Sequence, residues 1–367
     1  MSRRSQVRRP DPRGLRLGYV PLTDCAPLIV AHEWGLFERH GLRVTLSREL
    51  GWATVRDKLV HGELDAAHAP CALPFALRLG LGCPPTDCCA SLVLSLNGNG
   101  ITLSHALAQS GITDLASLAE HLRRNRRSRR LVFGVVSLHS THAWLLRSWL
   151  AQAGIQADTD VHIVVAPPQQ MPRHLAAGNL DGFCVGEPWN SVAVAQGSGW
   201  CAALSCELSP GHPEKVLALR GGFVADPEGR PLRLTMALLE ACAVCADPGQ
   251  QDAVLRLLAR REYLGLPVAQ LAPALTGRFP RGDRRVSTVP DFLVFAREQS
   301  NDPTPEKAAW VVKHLLDPTL RSRLPPLELG RIFRSDLFQA AQDALTSCTS
   351  LSSPTTDSIP HAELVPA

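Results

Sequence analysis

Two stretches of this chain carry the same pattern of apolar and polar positions. One runs from Leu15 to Pro70 and the other from Leu131 to Trp189. Each opens on a short apolar run, LRLGYV or LVFGVV, then a polar turn and an amphipathic helical pattern. Each continues through a glycine to a second strand, a second helix, a Gly-x-Leu-Asp tetrapeptide, a third apolar strand and a proline. Gly18 and Gly134 stand 116 positions apart, as do Gly62 and Gly178, and Asp65 and Asp181. The pattern reads as a βαβαβ unit used twice. Such units build open, largely parallel sheets, and ligands bind in the crevice outside the carboxyl ends of the strands. Two sheets facing one another across a hinge make a clam shell. One sheet carrying both halves is the alternative. The period is too long for a solenoid.

The remaining segments extend these two units. SLVLSLNGNGITLS reads as a strand, a polar turn over Asn97 to Gly100, and another strand. The first helix is expected from Ala26 to His40, with Gly41 as its C′ residue. ITDLASLAEHLRR is helical, with Thr113 or Asp114 as its cap. Six arginines follow between Arg123 and Arg130, either a solvated loop or a basic face for a partner or anionic polymer. From Val216 a strand returns toward the first unit, and helices are expected over 232–246, 250–264 and 305–316. The predicted organisation is α/β in two lobes: 14–103 with 218–345, and 104–217. Residues 1–13 and 346–367 read as a basic and a polar disordered tail.

Composition narrows the class. A net charge of +4 does not by itself point to nucleic acid. No stretch approaches the roughly 20 apolar residues of a membrane span. The N-terminal residues have neither the apolar core of a secretory signal nor the run that follows a twin-arginine signal. Eleven cysteines, an odd number without a framework, suit buried thiols in a reducing compartment. The expected location is the cytoplasm.

The crevice should be lined by turns at Pro21–Asp24, Gly51–Thr54, Leu138–His142 and Pro167–Gln170. Ser140-Thr141-His142 opens a helix, whose N-terminus favours an anion. Gly51-Trp52 opens another and brings an indole donor. His142 is a donor to that anion or a packed residue; Trp52 is a contact or core. Lys215 is a surface lysine or a hinge lysine that supplies counter-charge to an enclosed anion. Cys242-x-x-Cys245 has no second pair at zinc spacing, and Cys83, Cys88 and Cys89 read as free thiols. No G-x-S-x-G, P-loop, H-E-x-x-H or G-x-G-x-x-G occurs. The expectation is a binding protein without catalytic chemistry, cofactor or metal.

GWATVRDKLVHGELDAAHAP, LNGNGITLS, STHAWLLRSWLAQAGI, GEPWN and HPEKVLALR, in this order, resemble the nitrate- and bicarbonate-binding proteins of bacterial ABC importers. The resemblance runs from about residue 14 to about 345. It implies a two-lobed periplasmic-binding-protein-like (type II) fold, each lobe a parallel or mixed sheet flanked by helices. It implies an anion held between the lobes by Trp52, by the turn containing Asn97, Asn99 and Gly100, by Thr141 and His142, and by Lys215. His142 with Lys215 favours nitrate or nitrite over bicarbonate, whose binders are expected to use a partly acidic, calcium-assisted set. Without an export signal, the chain is similar to the cytoplasmic nitrate/nitrite sensors (NasS-like) of nitrate-assimilation operons. That resemblance implies a partner, an ANTAR-type RNA-binding antiterminator released when the anion binds, and no direct contact with nucleic acid or membrane. The alternatives are the substrate-binding component of an ABC importer and a thiamine-pyrimidine-precursor synthase-like enzyme, whose dense cysteine cluster the chain does not match. Lys215→Ala and His142→Ala are each expected to weaken anion binding about ten- to hundredfold and to leave the fold intact.

Overall fold

The computed structural model describes residues 14–125, 129–282 and 285–351. Its frame is two sheets. The strands in chain order are β1 (Leu15–Tyr19), β2 (Val44–Arg48), β3 (Ala66–Pro70), β4 (Cys88–Asn97), β5 (Asn99–Ser104), β6 (Leu131–Val135), β7 (Val161–Val165), β8 (Gly182–Gly186), β9 (Gly199–Leu204), β10 (Pro213–Arg220), β11 (Arg278–Pro280), β12 (Val286–Thr288) and β13 (Leu293–Val294). The first sheet has the order β13-β4-β10-β3-β1-β2 and the second β7-β6-β8-β5-β9. Within them, β3-β1-β2 and β8-β6-β7 are the two copies of the repeat, each all parallel.

The repeated residues have the same job in both copies. The Asp65 carboxylate accepts from Arg16 N at 2.9 Å, and the Asp181 carboxylate from Val132 N at 2.8 Å. Each aspartate thereby ties the start of its third strand to the first. A Cβ on Gly18 would lie 2.5 Å from Leu64 Cδ1, and one on Gly134 would lie 2.9 Å from Leu180 Cδ1. The glycines let the leucine of Gly-x-Leu-Asp pack onto the strand. Gly62 and Gly178 take positive φ, +69° and +72°, where the helix turns into that tetrapeptide.

The boundary between the lobes lies elsewhere than expected. β4 and β5 do not form a hairpin: β4 pairs with β10 and β13, whereas β5 pairs with β8 and β9 in the other sheet. The chain crosses at Gly98, with φ +89° and with Asn97 at φ +60° before it. It returns before β10, which pairs with β3 and β4 along its whole length. Residues 99–103 therefore belong to the second lobe and 213–217 to the first. The β11–β12 hairpin leans on the second lobe, where Cys201 N donates to Arg281 O at 2.7 Å. The stretch 218–345 is thus not confined to the first lobe.

The helices depart from expectation at a few points. Gly35, at φ +70°, divides the first into Ala26–Glu33 and Leu36–Arg39. The expected helix 250–264 stops at Leu258. Asp114 caps Leu115–Arg124 by accepting from Ser117 N. The last helix, Ser335–Leu351, runs six residues into the segment read as a polar tail, because Phe338 and Ala341 bury its inner face. Residues 1–13 and 352–367, and Arg126 and Arg127 of the basic run, lie outside the described residues. Of that run, Arg123 and Arg124 pair with Glu120, and Arg129 makes two 2.7 Å bonds to Asp181. Arg129 is a brace of the repeat rather than part of a free basic face. Among the described residues no helix is long and apolar enough to cross a membrane.

Apolar residues of both lobes merge at the cleft, where Leu22, Trp52 and Leu59 share a cluster with Val136, Phe183 and Trp189. Gly182 makes a close strand contact beneath it: a Cβ there would stand 2.9 Å from Thr102 O and 2.7 Å from the Phe133 ring. Gly182→Ala is expected to cost about 1–3 kcal/mol, because a backbone carbonyl cannot swing aside. Urea denaturation of the variant measures it.

Candidate functional site

The cleft closes over a cluster of polar side chains that are almost entirely buried. His68, His142, Glu214 and Lys215 have no exposed surface, and Asp24 retains 2%. Five segments supply them. Asp24 comes from the turn Thr23–Cys25 after β1, and Trp52 from the first position of the helix Trp52–Val60. His68 lies in β3, His142 in the first turn of the helix Thr141–Ala151, and Glu214 with Lys215 in β10.

Lys215 sits at the centre. Its Nζ is 2.9 Å from Asp24 Oδ2 and 2.7 Å from Glu214 Oε1, and 5.7 Å from the centroid of the Trp52 ring. Asp24 Oδ1 is 2.9 Å from His68 Nε2, and the His68 ring packs 5.5 Å from Trp52. Glu214 Oε2 accepts from Asn99 Nδ2 at 2.8 Å. The second lobe thereby reaches a carboxylate of the first. Neighbouring residues in a strand normally face opposite ways. Register shifts at Pro213/Lys215 and Lys215/Val216 break that alternation in β10, so both Glu214 and Lys215 turn into the cluster.

Burial alone would raise the two carboxyl groups, but Lys215 outweighs it, and both Asp24 and Glu214 are held down to about 2. Burial would lower Lys215, yet Asp24 and Glu214 raise it above the ordinary lysine value. His142 is lowered to about 4 by burial, with Glu214 opposing the shift. His68 is lowered for the same first reason, against the pull of Asp24. Two carboxylates therefore face one ammonium beside neutral imidazoles.

Several polar atoms here have no hydrogen-bond partner among the described residues. They are Trp52 Nε1, both ring nitrogens of His142, His68 Nδ1, Thr23 Oγ1 and Asn99 Oδ1. His142 Nε2 is 3.7 Å from Glu214 Oε1, beyond hydrogen-bond reach. Buried polar groups are normally paired, and such a group of exceptions marks a place built to meet something else. The Ser140 side chain caps the His142 helix by accepting from Ala143 N at 3.3 Å. Trp52 and Ser140 also border a cavity of about 450 Å³ at the mouth of the cleft, with Pro70, Val136 and Leu138.

Of the residues expected at the ligand, Trp52, Asn99, His142 and Lys215 come together. Thr141 stands at the edge, its Oγ1 3.8 Å from Cys71 Sγ across the cleft. Asn97 does not join them. Its Nδ2 donates to Asp291 O at 2.8 Å and its Oδ1 accepts from Gly211 N at 2.9 Å, so it ties the two lobe crossings together. Gly100 does not join either; a Cβ there would meet Asn190 Cγ at 2.9 Å, and the glycine makes room for that amide. Sequence reasoning missed Glu214, His68 and the pairing role of Asp24. Cys242 and Cys245 are buried in the helical core of the first lobe.

Glu187, just after β8, is a further buried carboxyl. Burial pushes it up to about 7, with hydrogen bonds from Ser191 and Asn190 opposing. Between its ordinary value and about 7 the folded chain binds the extra proton, so stability falls as pH rises through that window. Glu187→Gln is expected to raise the melting temperature by a few degrees at alkaline pH and to change it little near pH 5. Melting curves across pH check this.

The NMT1-like family pattern matches residues 8–259. The nitrate import ATP-binding protein NrtC of Synechocystis is 40% identical over 304 residues, 82% of this chain but 45% of that protein. The bicarbonate transport ATP-binding protein CmpC of Synechococcus elongatus is 42% identical over 82% of this chain and 44% of its own length. The chain thus spans a little under half the length of these relatives. The nitrate/nitrite binding protein NrtA of Synechococcus elongatus is 31% identical over 92% of this chain and 79% of its own. Among solved structures, the periplasmic nitrate-binding protein NrtA of Synechocystis superposes with a TM-score of 0.83 at 26% identity, covering 90% of this chain and 88% of that one. The two-lobed periplasmic-binding-protein fold is thereby established. With the family pattern over 8–259 and NrtA relatedness along most of both chains, this protein belongs to the NMT1-like family, close to its NrtA nitrate-binding members.

Proposed function

We propose that this chain is a receptor for a small inorganic oxyanion, nitrate or nitrite, held in the closed cleft. His142 carries the reading. It is fully buried, opens a helix, lies 3.7 Å from Glu214, the partner of Lys215, and has two ring nitrogens with no partner among the described residues. A planar oxyanion accepts in several directions, and the indole N–H of Trp52, a His142 N–H and Lys215 are donors from both lobes. Satisfying both at once favours the closed state by the difference in affinity between open and closed forms. Relatives named for nitrate and nitrite binding support this ligand.

Bicarbonate is the second reading. Glu214 and Asp24 can accept the O–H that bicarbonate carries and nitrate lacks, and CmpC is named for bicarbonate transport.

Two roles follow from one receptor. In the first, the chain is a cytoplasmic sensor whose closure releases an ANTAR-type antiterminator that prefers the open form; by linkage that partner weakens anion affinity. In the second, the chain is the substrate-binding part of an importer. Relatives named for transport support this role at least as well. The sensor role requires a complex with the antiterminator that dissociates on adding nitrate. The importer role requires anion-dependent binding to a permease, and neither result fits the other role.

The ligand is tested by melting the protein with nitrate, nitrite, bicarbonate and chloride in turn. At a hundred times its Kd an anion adds about 2.7 kcal/mol. Nitrate or nitrite should raise the melting temperature while chloride does not. No shift with either nitrogen oxyanion contradicts the proposal.

A further inference from the structure

The charge count of the buried cluster goes beyond the identity of the ligand. Asp24 and Glu214 are carboxylates, and Lys215 is the ammonium that bridges them at 2.9 and 2.7 Å. Together they hold one net negative charge, with every member buried. Lys215 is therefore already neutralised by the protein, and more than neutralised. An anion entering here would add a second negative charge in a place closed to water. Uncompensated charges of that kind are strongly disfavoured. Nitrate is the base of a strong acid and brings no proton with it. Charge balance favours a group in the site taking up a proton as the anion binds.

The groups facing this point narrow the choice. β10 contributes Glu214, Lys215 and His212; the turn after β1 contributes Asp24; β3 and the residue following it contribute His68 and Cys71. The helix Thr141–Ala151 contributes His142 itself, and Glu187 follows β8, its backbone O accepting from Thr23 N at 2.8 Å. His68 is already bonded to Asp24 through Nε2. His212 faces Pro213 O and stacks on Trp310 at 5.7 Å. The Cys71 thiol donates to Pro213 O at 3.3 Å. Glu187 is held by Ser191 N. His142 alone of these has both ring nitrogens without a hydrogen-bond partner among the described residues. Its Nε2 lies 3.7 Å from Glu214 Oε1, a carboxylate that shares its one ammonium with Asp24.

Resting on the oxyanion reading above, we infer that the anion enters this site together with one proton, which His142 takes from solvent, so that an imidazolium bridges the ligand and Glu214. Lys215 then spends its charge and two of its three N–H donors on Asp24 and Glu214 and keeps one donor for the ligand, while the added charge that meets the ligand is made on binding. In the free chain His142 is neutral at physiological pH, held near 4 by burial against the pull of Glu214. A bound anion raises it. Between the free and bound values each anion takes up a proton, and affinity falls as pH rises, by up to about tenfold per pH unit. Below the free value the ring is charged already and the dependence flattens.

The test is calorimetric titration of the full chain with sodium nitrate at about pH 6, in two buffers of different ionisation enthalpy. The expected result is a heat difference equal to nearly one proton absorbed per nitrate, with affinity about tenfold weaker at about pH 7. His142→Gln should bind more weakly, absorb no proton and show affinity flat with pH. Glu187→Gln, which removes a buried carboxyl pushed up to about 7, should keep the uptake. Saturable binding with equal heats in both buffers overturns the proton step and leaves the oxyanion reading standing. Uptake that survives in His142→Gln overturns the assignment to His142. No nitrate binding at all overturns both.

Discussion

Lys215→Ala should cost the folded chain about 3–5 kcal/mol before any ligand is added. The residue is fully buried between Asp24 and Glu214. Removing its ammonium leaves two carboxylates facing each other without a counter-charge. A lysine seen only in sequence, next to a strand that crosses between lobes, suggests a ligand contact whose loss spares the fold. Its burial and its partners say otherwise, and the expectation of an intact Lys215→Ala fold is revised. Urea denaturation should show a much lower midpoint with an unchanged slope. Pairing the change with Asp24→Asn should recover part of the loss, since the two sites share one interaction. In the wild type, Asp24 and Glu214 are depressed to about 2. Their stabilisation is present above the ordinary carboxyl range and is lost as pH falls toward that value. A Lys215→Ala protein as stable as wild type would mean that the carboxylates are not charged in the folded chain.

His142→Ala should act in the opposite way, strongly on binding and weakly on the fold. Both ring nitrogens lack partners among the described residues, so their removal orphans no protein group. The remaining cost is the space left by the ring. A charged hydrogen bond to an enclosed anion is worth roughly 1.5–3 kcal/mol, about ten- to hundredfold in affinity. Titration of the variant with nitrate, beside its urea midpoint, separates the two effects. Affinity equal to wild type would move the ligand away from the Thr141–Ala151 helix.

The frame was legible because its repeat is written in residues with geometric duties. Gly18 and Gly134 must clear Leu64 and Leu180, and Asp65 and Asp181 must hold the strand start beside them. The crossing at Gly98 was not legible. Asn97-Gly98-Asn99-Gly100 carries the signals of a hairpin turn, and the apolar runs on either side look the same whether they pair together or enter separate sheets. Only the partners β8 and β9 decide it.

The site divided along similar lines. Trp52 and His142 stand at helix starts after strands, where an α/β crevice gathers its ligands. Lys215 was readable as a surface or a hinge lysine, and the resemblance chose between the two, but its neighbour Glu214 was hidden by strand alternation, which the irregular register of β10 overrides. His68 sits in the apolar run AAHAP and reads as core. Its role appears only when Asp24, 44 residues earlier, is placed 2.9 Å away.

On the proposed reading the closed cleft holds one nitrogen oxyanion. Calorimetric titration of the purified chain with nitrate, nitrite, bicarbonate and chloride at fixed pH tests it most directly. Saturable binding of nitrate or nitrite at one site per chain is expected, greatly weakened in His142→Ala, with no heat from chloride. Heat from bicarbonate alone would transfer the site to the ligand that carries its own proton. Silence from all four would contradict the account.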